Sequence, residues 1–506
     1  MPSGARSWLT STAWIAAVAA LLLLLFPTGF PNYDTIYSLL WGRELAEGLS
    51  PDRGAALPPT PHPLYELFGL VASPLGDGAI DLTMVIAYVS LGLVGYLVYR
   101  LGSLWFDRPI GAVAALIVLT RAPYLSNGLR AYIDLPYIVL VLGALVLETK
   151  RPRAGWPVLA LLVLAGLLRP EAWLFSAAYL AYLTLTLRQS ETRPVAHESA
   201  ATRAMRGKPQ IRGWGLNWRG GRSSREMVGL TALALAAPLG WAIFDWITAG
   251  SPTYSFTGTR ETVDTLNRHT GPVDLVLYGP RALGELLQWP GMVGAAGGIV
   301  LGLAFLRRRS TISTAAAVLA LGAFAVLACA GLAIIPRYTM LAAAVLAIFT
   351  ALALLGWRLL DRDHRWRRRW QVFAAFVAAM FVIWAPNQYD LLHAVDTDLT
   401  NQSEIESDLT ALADSDAFEP LCVPISVPNH RAAPRLAFLL DVRPSQIVSS
   451  SEQRQPDRGY FLDPASEFVI HNFILDPNDP SRLKTPVPSG FRRVAANDSW
   501  VLFRRC

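Results

Sequence analysis

The residues of this chain best suited to chemistry are carboxylates and arginines set at the edges of apolar runs. Asp34 follows the first such run, in Pro31-Asn32-Tyr33-Asp34-Thr35-Ile36-Tyr37, and Arg43 and Glu44 come nine and ten positions later. Arg130 with Asp134, Arg169 with Glu171, and Arg337 with Tyr338 follow, again beside apolar runs. A carboxylate so placed can accept a proton from a hydroxyl or hold a cation. A guanidinium can bind phosphate through two parallel hydrogen bonds and keeps its charge in a partly dry site.

Each of these residues also has a plainer use. Asp34 at the start of a helix fits a cap that satisfies free amides at the positive end of the dipole. Arg130 and Asp134 have the spacing of a helix-surface pair, Arg169 is long enough to reach headgroups, and Arg337 fits the anchor of a helix end. His62 lies between Pro61 and Pro63, which suits a rigid loop as well as a ligand contact. Tyr37, Leu40, Glu44 and Glu47 fall on related helical faces, so the spacing predicts a short interfacial helix starting near Asp34.

The elements that hold these residues are membrane helices. Of 506 residues, 53% are hydrophobic and 16% charged. An average globular chain has roughly 25% charged residues, so polar surface is too scarce here for several soluble domains. A spanning helix takes about 20 mostly apolar residues. Eleven runs qualify, near 9–28, 80–102, 109–124, 132–149, 155–168, 171–187, 227–248, 290–306, 311–335, 338–357 and 371–386. Phe26-Pro27-Thr28-Gly29 offers no small-x-small cleavage site, so the first run is read as a retained helix rather than a signal peptide.

With the N-terminus inside, Lys150-Arg151-Pro152-Arg153, the loop of about 188–226, Arg307-Arg308-Arg309 and the arginines at 365–369 all fall on the inner side, as the positive-inside rule requires. The loop of about 188–226 carries nine basic residues against three acidic ones. It lacks an apolar period, which fits a disordered segment or one lying on anionic headgroups better than a nucleic-acid site. The predicted domains are therefore a membrane domain over 1–386, with a first outer loop at about 29–79, and an outer domain over 387–506. The outer domain has 11 basic against 17 acidic residues and short apolar runs broken by turn residues, which predicts a small α/β domain with a helix near Arg435 to Leu440. Cys422 and Cys506 are either a disulfide, if the outer compartment is oxidising, or two free thiols. The three cysteines form no C-x-x-C pair or His/Cys cluster, which excludes a structural metal-thiolate site, and no G-x-x-x-x-G-K-[ST] phosphate loop occurs.

Asp34, Tyr37, Arg43, Glu44 and Gly48 together resemble the first outer loop of the GT-C glycosyltransferases, in the protein mannosyltransferase and aminoarabinose transferase branch. Relatives often carry an Asp-Glu pair where this chain has Asp34-Thr35, and their Tyr is offset by about one place. Pro61-His62-Pro63-Leu64-Tyr65, Arg130 to Pro136, Leu168 to Trp173, Ser251 to Ser255 and Pro336-Arg337-Tyr338 are similar to further strings of that superfamily, in order over residues 30–340.

The resemblance implies a mainly α, polytopic fold of about eleven helices with a small C-terminal α/β domain. It implies transfer of a sugar, mannose by family frequency, from a polyprenyl-phosphate carrier to a glycan, lipid or protein hydroxyl on the outer face. Asp34 would be the general base of an inverting transfer or the ligand of a divalent cation such as Mg or Mn. Arg337 and Tyr338, with Arg130 or Arg169, would face the donor phosphate. Asp134, Glu171, Arg43, Glu44 and His62 would contact substrate. The location implied is a bacterial inner membrane, and the scarcity of Lys, only three residues, fits a GC-rich genome. The competing class is a transporter or flippase of a lipid-linked substrate without bond cleavage, which places ionisable groups and broken helices at mid-membrane. A polymerase or ligase of envelope polysaccharide is a further alternative.

Overall fold

The computed structural model describes residues 3–191, 223–473 and 486–506, so most of the basic loop lies outside the described residues. All eleven apolar runs are helical. Helix α1 (Ser3–Leu25) leads into the first loop, which holds α2 (Tyr33–Ala46) and α3 (Pro63–Ala72). The bundle continues with α4 (Gly78–Trp105), α5 (Arg108–Leu119), α6 (Ala122–Leu129), α7 (Asp134–Lys150), α8 (Trp156–Gly166) and α9 (Glu171–Glu191). After it come α10 (Ser224–Ala249), α11 (Tyr254–Thr265), α12 (Gly271–Phe305), α13 (Arg307–Cys329), α14 (Met340–Leu355) and α15 (Arg367–Ala413).

Among the described residues, six helices are long and apolar enough to cross a membrane, or seven if α5 and α6, bent by 63°, form one span. The remaining expected spans are shorter or more polar helices, such as the 11 residues of α8. Two runs underestimate their helices. The run at 290–306 is only the second half of α12, which breaks at Gln288 (φ 56°, ψ 171°). The run at 371–386 is only the first part of α15, whose 47 residues continue past Pro386.

Helix α14 is apolar all round and buried from Met340 to Ala353, so it forms the axis of the bundle. Close packing against it depends on small residues. A Cβ on Gly298 of α12 would lie 2.0 Å from the Phe349 carbonyl oxygen, and one on Gly42 of α2 would lie 2.4 Å from the backbone of Gly69 in α3. The basic segments among the described residues, at 150–153, 307–309 and 365–369, gather at one end. There Arg309 donates to the Phe106 carbonyl, Trp105 to Thr149, and Phe305 packs on His364 and Trp366.

At the other end sits the C-terminal domain. Its strands β1 (Ile425–Val427), β2 (Ile447–Ser449), β3 (Gly459–Pro464), β4 (Arg492–Ala496) and β5 (Trp500–Arg505) make a sheet of order β2-β1-β3-β5-β4. Strand β1 runs parallel to β2 and β3, while β5 is antiparallel to β3 and β4. Helices α16 (Ala433–Leu439) and α17 (Glu467–Asn472) complete it. Cys422 and Cys506 are joined as a disulfide, Cα to Cα 6.3 Å.

The end of α15 buries Val395, Leu399, Gln402, Ile405, Leu409 and Leu412 at helical spacing. The domain boundary expected at 386/387 therefore falls inside one continuous helix. The domain's core is also shared with the first loop. Ile36, Tyr37, Leu40 and Trp41 of α2 pack in the same cluster as Leu436, Tyr460 and Trp500.

Candidate active site

The placement of Asp34 starts with its neighbour. Asn32 caps α2, accepting the amides of Asp34 (2.8 Å) and Thr35 (3.3 Å). This relieves Asp34 of the capping role its position offered and leaves its carboxylate to face elsewhere. Asn32 Nδ2 also donates to the Arg130 carbonyl (2.8 Å), and Thr35 Oγ1 donates to the Ala131 carbonyl (2.8 Å). The start of α2 is thereby locked onto the junction between α6 and α7. Ala131 turns that junction in the left-handed region, φ 50°.

Across from this lock, Pro336–Thr339 forms a 3-10 turn ahead of α14. Arg337 in that turn donates from Nη1 to Asp34 Oδ2 at 3.1 Å, and both side chains are about one fifth exposed. Residues 303 positions apart in sequence thus meet. Arg337 also stands over the rings of Tyr132 (5.2 Å) and Tyr338 (5.3 Å).

Beside this pair lies a buried charge cluster. Arg169, in the turn between α8 and α9, bonds Asp134 at the first position of α7 and Glu171 at the start of α9. Burial works against the Arg169 charge, but Asp134 and Glu171 more than offset that and hold its guanidinium above the ordinary value. Arg169 does not extend to a membrane surface; it is 6% exposed, with the Tyr338 ring 4.2 Å away. Arg130 and Asp134 are no helix-surface pair either. Arg130 bonds Ser126 and, at 3.0 Å, Gln402 of α15.

These residues line a cavity of about 990 Å³. Of the residues singled out in sequence, Asp34, His62, Arg130, Asp134, Arg169, Arg337 and Tyr338 all face it. Glu171 stands behind Arg169, outside the lining. Arg43 and Glu44 are also outside and serve the domain contact. Arg43 pairs with Asp441 (2.9 Å), while buried Glu44 accepts the Asp52 amide (2.6 Å) and pairs with Arg443 (3.1 Å). Burial raises the Glu44 carboxyl above its usual range, whereas bonds from Ser445 and Gly54 outweigh burial and hold Asp52 below it.

Burial also pushes the His62 imidazole down to about 3; Asp34 pulls the other way, and Arg169 and Arg337 act with burial. Among the described residues its Nδ1 has no hydrogen-bond partner, and neither does Asp134 Oδ2. The sequence reading missed Trp173, Trp241 and Asp245 and the roof residues Gln402, Glu406 and His430, all of which line the cavity. Asp245 had left a signal, a lone acid within the apolar run at 227–248; the roof residues had none. For a cation the donor set is poor. Among the described residues no three His, Cys, Asp or Glu side chains come together as metal ligands, and the partner of Asp34 is a guanidinium.

No family model and no curated protein matches this chain. Solved structures do. ArnT from Cupriavidus metallidurans bound to undecaprenyl phosphate superimposes with a TM-score of 0.53 over 97% of this chain and 97% of its own, at 13% identity. Its apo state gives 0.50 over 99% and 98%, at 14% identity. The fold that sets Asp34 against Arg337 is the one these two ArnT structures share.

Proposed function

We propose that this chain is a membrane glycosyltransferase that moves a sugar from a polyprenyl-phosphate carrier to an acceptor hydroxyl, at the membrane face where the C-terminal domain lies. The observation that carries this is the contact of Asp34 with Arg337 at 3.1 Å on the wall of a large cavity at the membrane edge. Sharing a fold with an ArnT that binds undecaprenyl phosphate supports the choice of donor.

In this reading the carrier's phosphate enters beside Arg337 and draws the guanidinium away from Asp34. The released carboxylate accepts the proton of the acceptor hydroxyl as its oxygen attacks the anomeric carbon. The bond to the phosphate oxygen breaks, and Arg337 stabilises the charge that collects there. A single base on the acceptor side gives inversion. Among the described residues Asp34 belongs to no group of three His, Cys, Asp or Glu side chains able to hold a cation, which favours the base role. The basic segments at 150–153, 307–309 and 365–369 lie at the opposite end, which supports reading that end, with the N-terminus, as the cytoplasmic side of a bacterial inner membrane. Mannose is the sugar that family frequency favours; the acceptor is a glycan, lipid or protein hydroxyl.

Purified protein supplied with radiolabelled polyprenyl-phosphate sugar tests the proposal. Label should pass to an acceptor, and Asp34→Asn should remove most transfer while leaving the fold intact. Near-normal turnover in that variant would refute the role of Asp34. One feature favours the transporter reading: Arg121, at the bend between α5 and α6, is buried against Gln288 at the break of α12 and Gln388 of α15. Movement of intact donor across vesicles without label transfer would support it.

A further inference from the structure

Among the described residues, four polar atoms of cavity-lining side chains are buried without a partner: Arg130 Nη2 and Arg337 Nε, which carry charge, and Nδ1 of His62, a residue 9% exposed, and Oδ2 of Asp134, a residue 2% exposed. Native proteins leave few such atoms, and each costs desolvation unless something bonds it. Beside His62, in the same cavity lining, stand two indoles. The His62 ring meets Trp241 edge-on at 5.9 Å, and Trp241 meets Trp173 edge-on at 5.7 Å. Trp173 Nε1 donates to the Gly166 carbonyl (2.9 Å), and Trp241 Nε1 donates to Ser255 Oγ (2.9 Å), which is itself held by Asp245 (2.8 Å). With both indole N–H groups engaged, the rings are fixed and offer the cavity apolar surface only.

Fixed aromatic surface beside unfilled hydrogen-bonding atoms suits a ligand that is apolar on one face and rimmed with hydroxyls. The Arg337 guanidinium shares this cavity, as the phosphate attached to such a ring requires. We infer that the donor's sugar ring sits against Trp173 and Trp241 with its hydroxyls on His62 Nδ1 and Asp134 Oδ2, and that this subsite takes an uncharged, hydroxylated sugar. The inference rests on the transferase reading and extends it to the sugar. A uronic acid is disfavoured, because a hydroxyl can donate to the open Asp134 Oδ2 whereas a carboxylate in its place has no proton to give. The imidazole, which stays neutral, contributes a hydrogen bond and no countercharge.

The test compares three lipids on the full-length protein in detergent: polyprenyl phosphate bearing a neutral hexose, the same lipid bearing the matching uronic acid, and bare polyprenyl phosphate as a competitive inhibitor. The wild type should use the uronic acid donor at least about tenfold less well in kcat/KM. His62→Ala and Trp241→Ala should each lower kcat/KM for the hexose donor by about tenfold or more while shifting the inhibition constant of the bare lipid less than about twofold. His62→Asn, which keeps a donor and an acceptor, and Trp241→Phe, which keeps an aromatic ring, should recover part of the loss and cover the case in which an alanine variant does not fold. Equal losses for hexose donor and bare lipid would overturn the subsite, as would variants that change neither or a wild type that prefers the uronic acid. If the bare lipid fails to inhibit and no donor transfers label even with wild type, the transferase reading itself falls and takes the subsite with it.

Discussion

Asp34 lies in the first turn of α2 yet takes no part in capping it, because Asn32 has already accepted the two amides in reach. An acid in that turn is favoured by the helix dipole, and in the proposed mechanism its carboxylate is the acceptor of the substrate's proton. Its partner Arg337 is the second half of the proposed machinery. Arg337→Ala should mainly weaken donor use, seen as a raised KM for the lipid-linked sugar; an effect confined to acceptor KM would refute the phosphate assignment. Lys at this position should restore only part of the affinity, since an ammonium cannot make the paired bonds of a guanidinium. His62 yields a pH prediction. In the unfolded chain it takes up a proton below about pH 6.5, while in the folded protein it resists protonation down to about 3. The unfolded state therefore binds more protons over this window, and stability falls as the pH drops from about 6.5 toward 3. Thermal unfolding of wild type and His62→Asn should diverge there, with the variant losing less; parallel curves would refute it.

The elements that set this geometry are joined by a few short contacts. Asn32 caps α2 and ties it to the α6–α7 junction, so Asn32→Ala should cost stability of about 1 kcal/mol for the cap and a larger fraction of turnover than of stability, because Asp34 loses its register to Asp134. Unchanged turnover with a lowered Tm would reduce Asn32 to a cap alone. Hydropathy located the helices better than it located their ends. The first half of α12 escaped because Asp274, Arg281 and Glu285 dilute its apolar character. The continuation of α15 escaped because its outer half is acidic and buries only one stripe, against the sheet domain. That half carries Gln402 and Glu406 to the cavity, so the missed helix is also the reason these two roof residues were missed.

At the scale of the whole molecule, the C-terminal domain is seated on the first-loop helix as well as on the continuation of the last span. Glu44, Asp52 and Arg443 make that seat, with Arg443 Nε 3.1 Å from Glu44 and 3.8 Å from Asp52. Removing Arg443 leaves a buried Glu44 with one bond fewer. Arg443→Ala should therefore lower the unfolding temperature of the outer domain by about 2–5 °C and speed proteolysis at residues 440–455, with the bundle unaffected. An unchanged digestion pattern would show that the apolar contacts of Tyr37, Leu40 and Trp41 suffice to hold the domain.

Composition and apolar run length by themselves determined a membrane bundle with an acidic tail, because burying or solvating a residue depends first on its own chemistry. Order along the chain was enough to mark Asp34, Arg130, Asp134, Arg169 and Arg337, since charged side chains at the ends of apolar runs stand out one by one. Only the tertiary structure decided which of them meet. Arg337 reaches Asp34 and Arg169 reaches Asp134 across helices far apart in sequence, whereas Arg43 and Glu44, only nine and ten residues beyond Asp34, turn to the domain contact instead. Helical periodicity rotates each residue to a face, but the identity of the neighbour on that face is fixed by packing between helices, to which local sequence is blind.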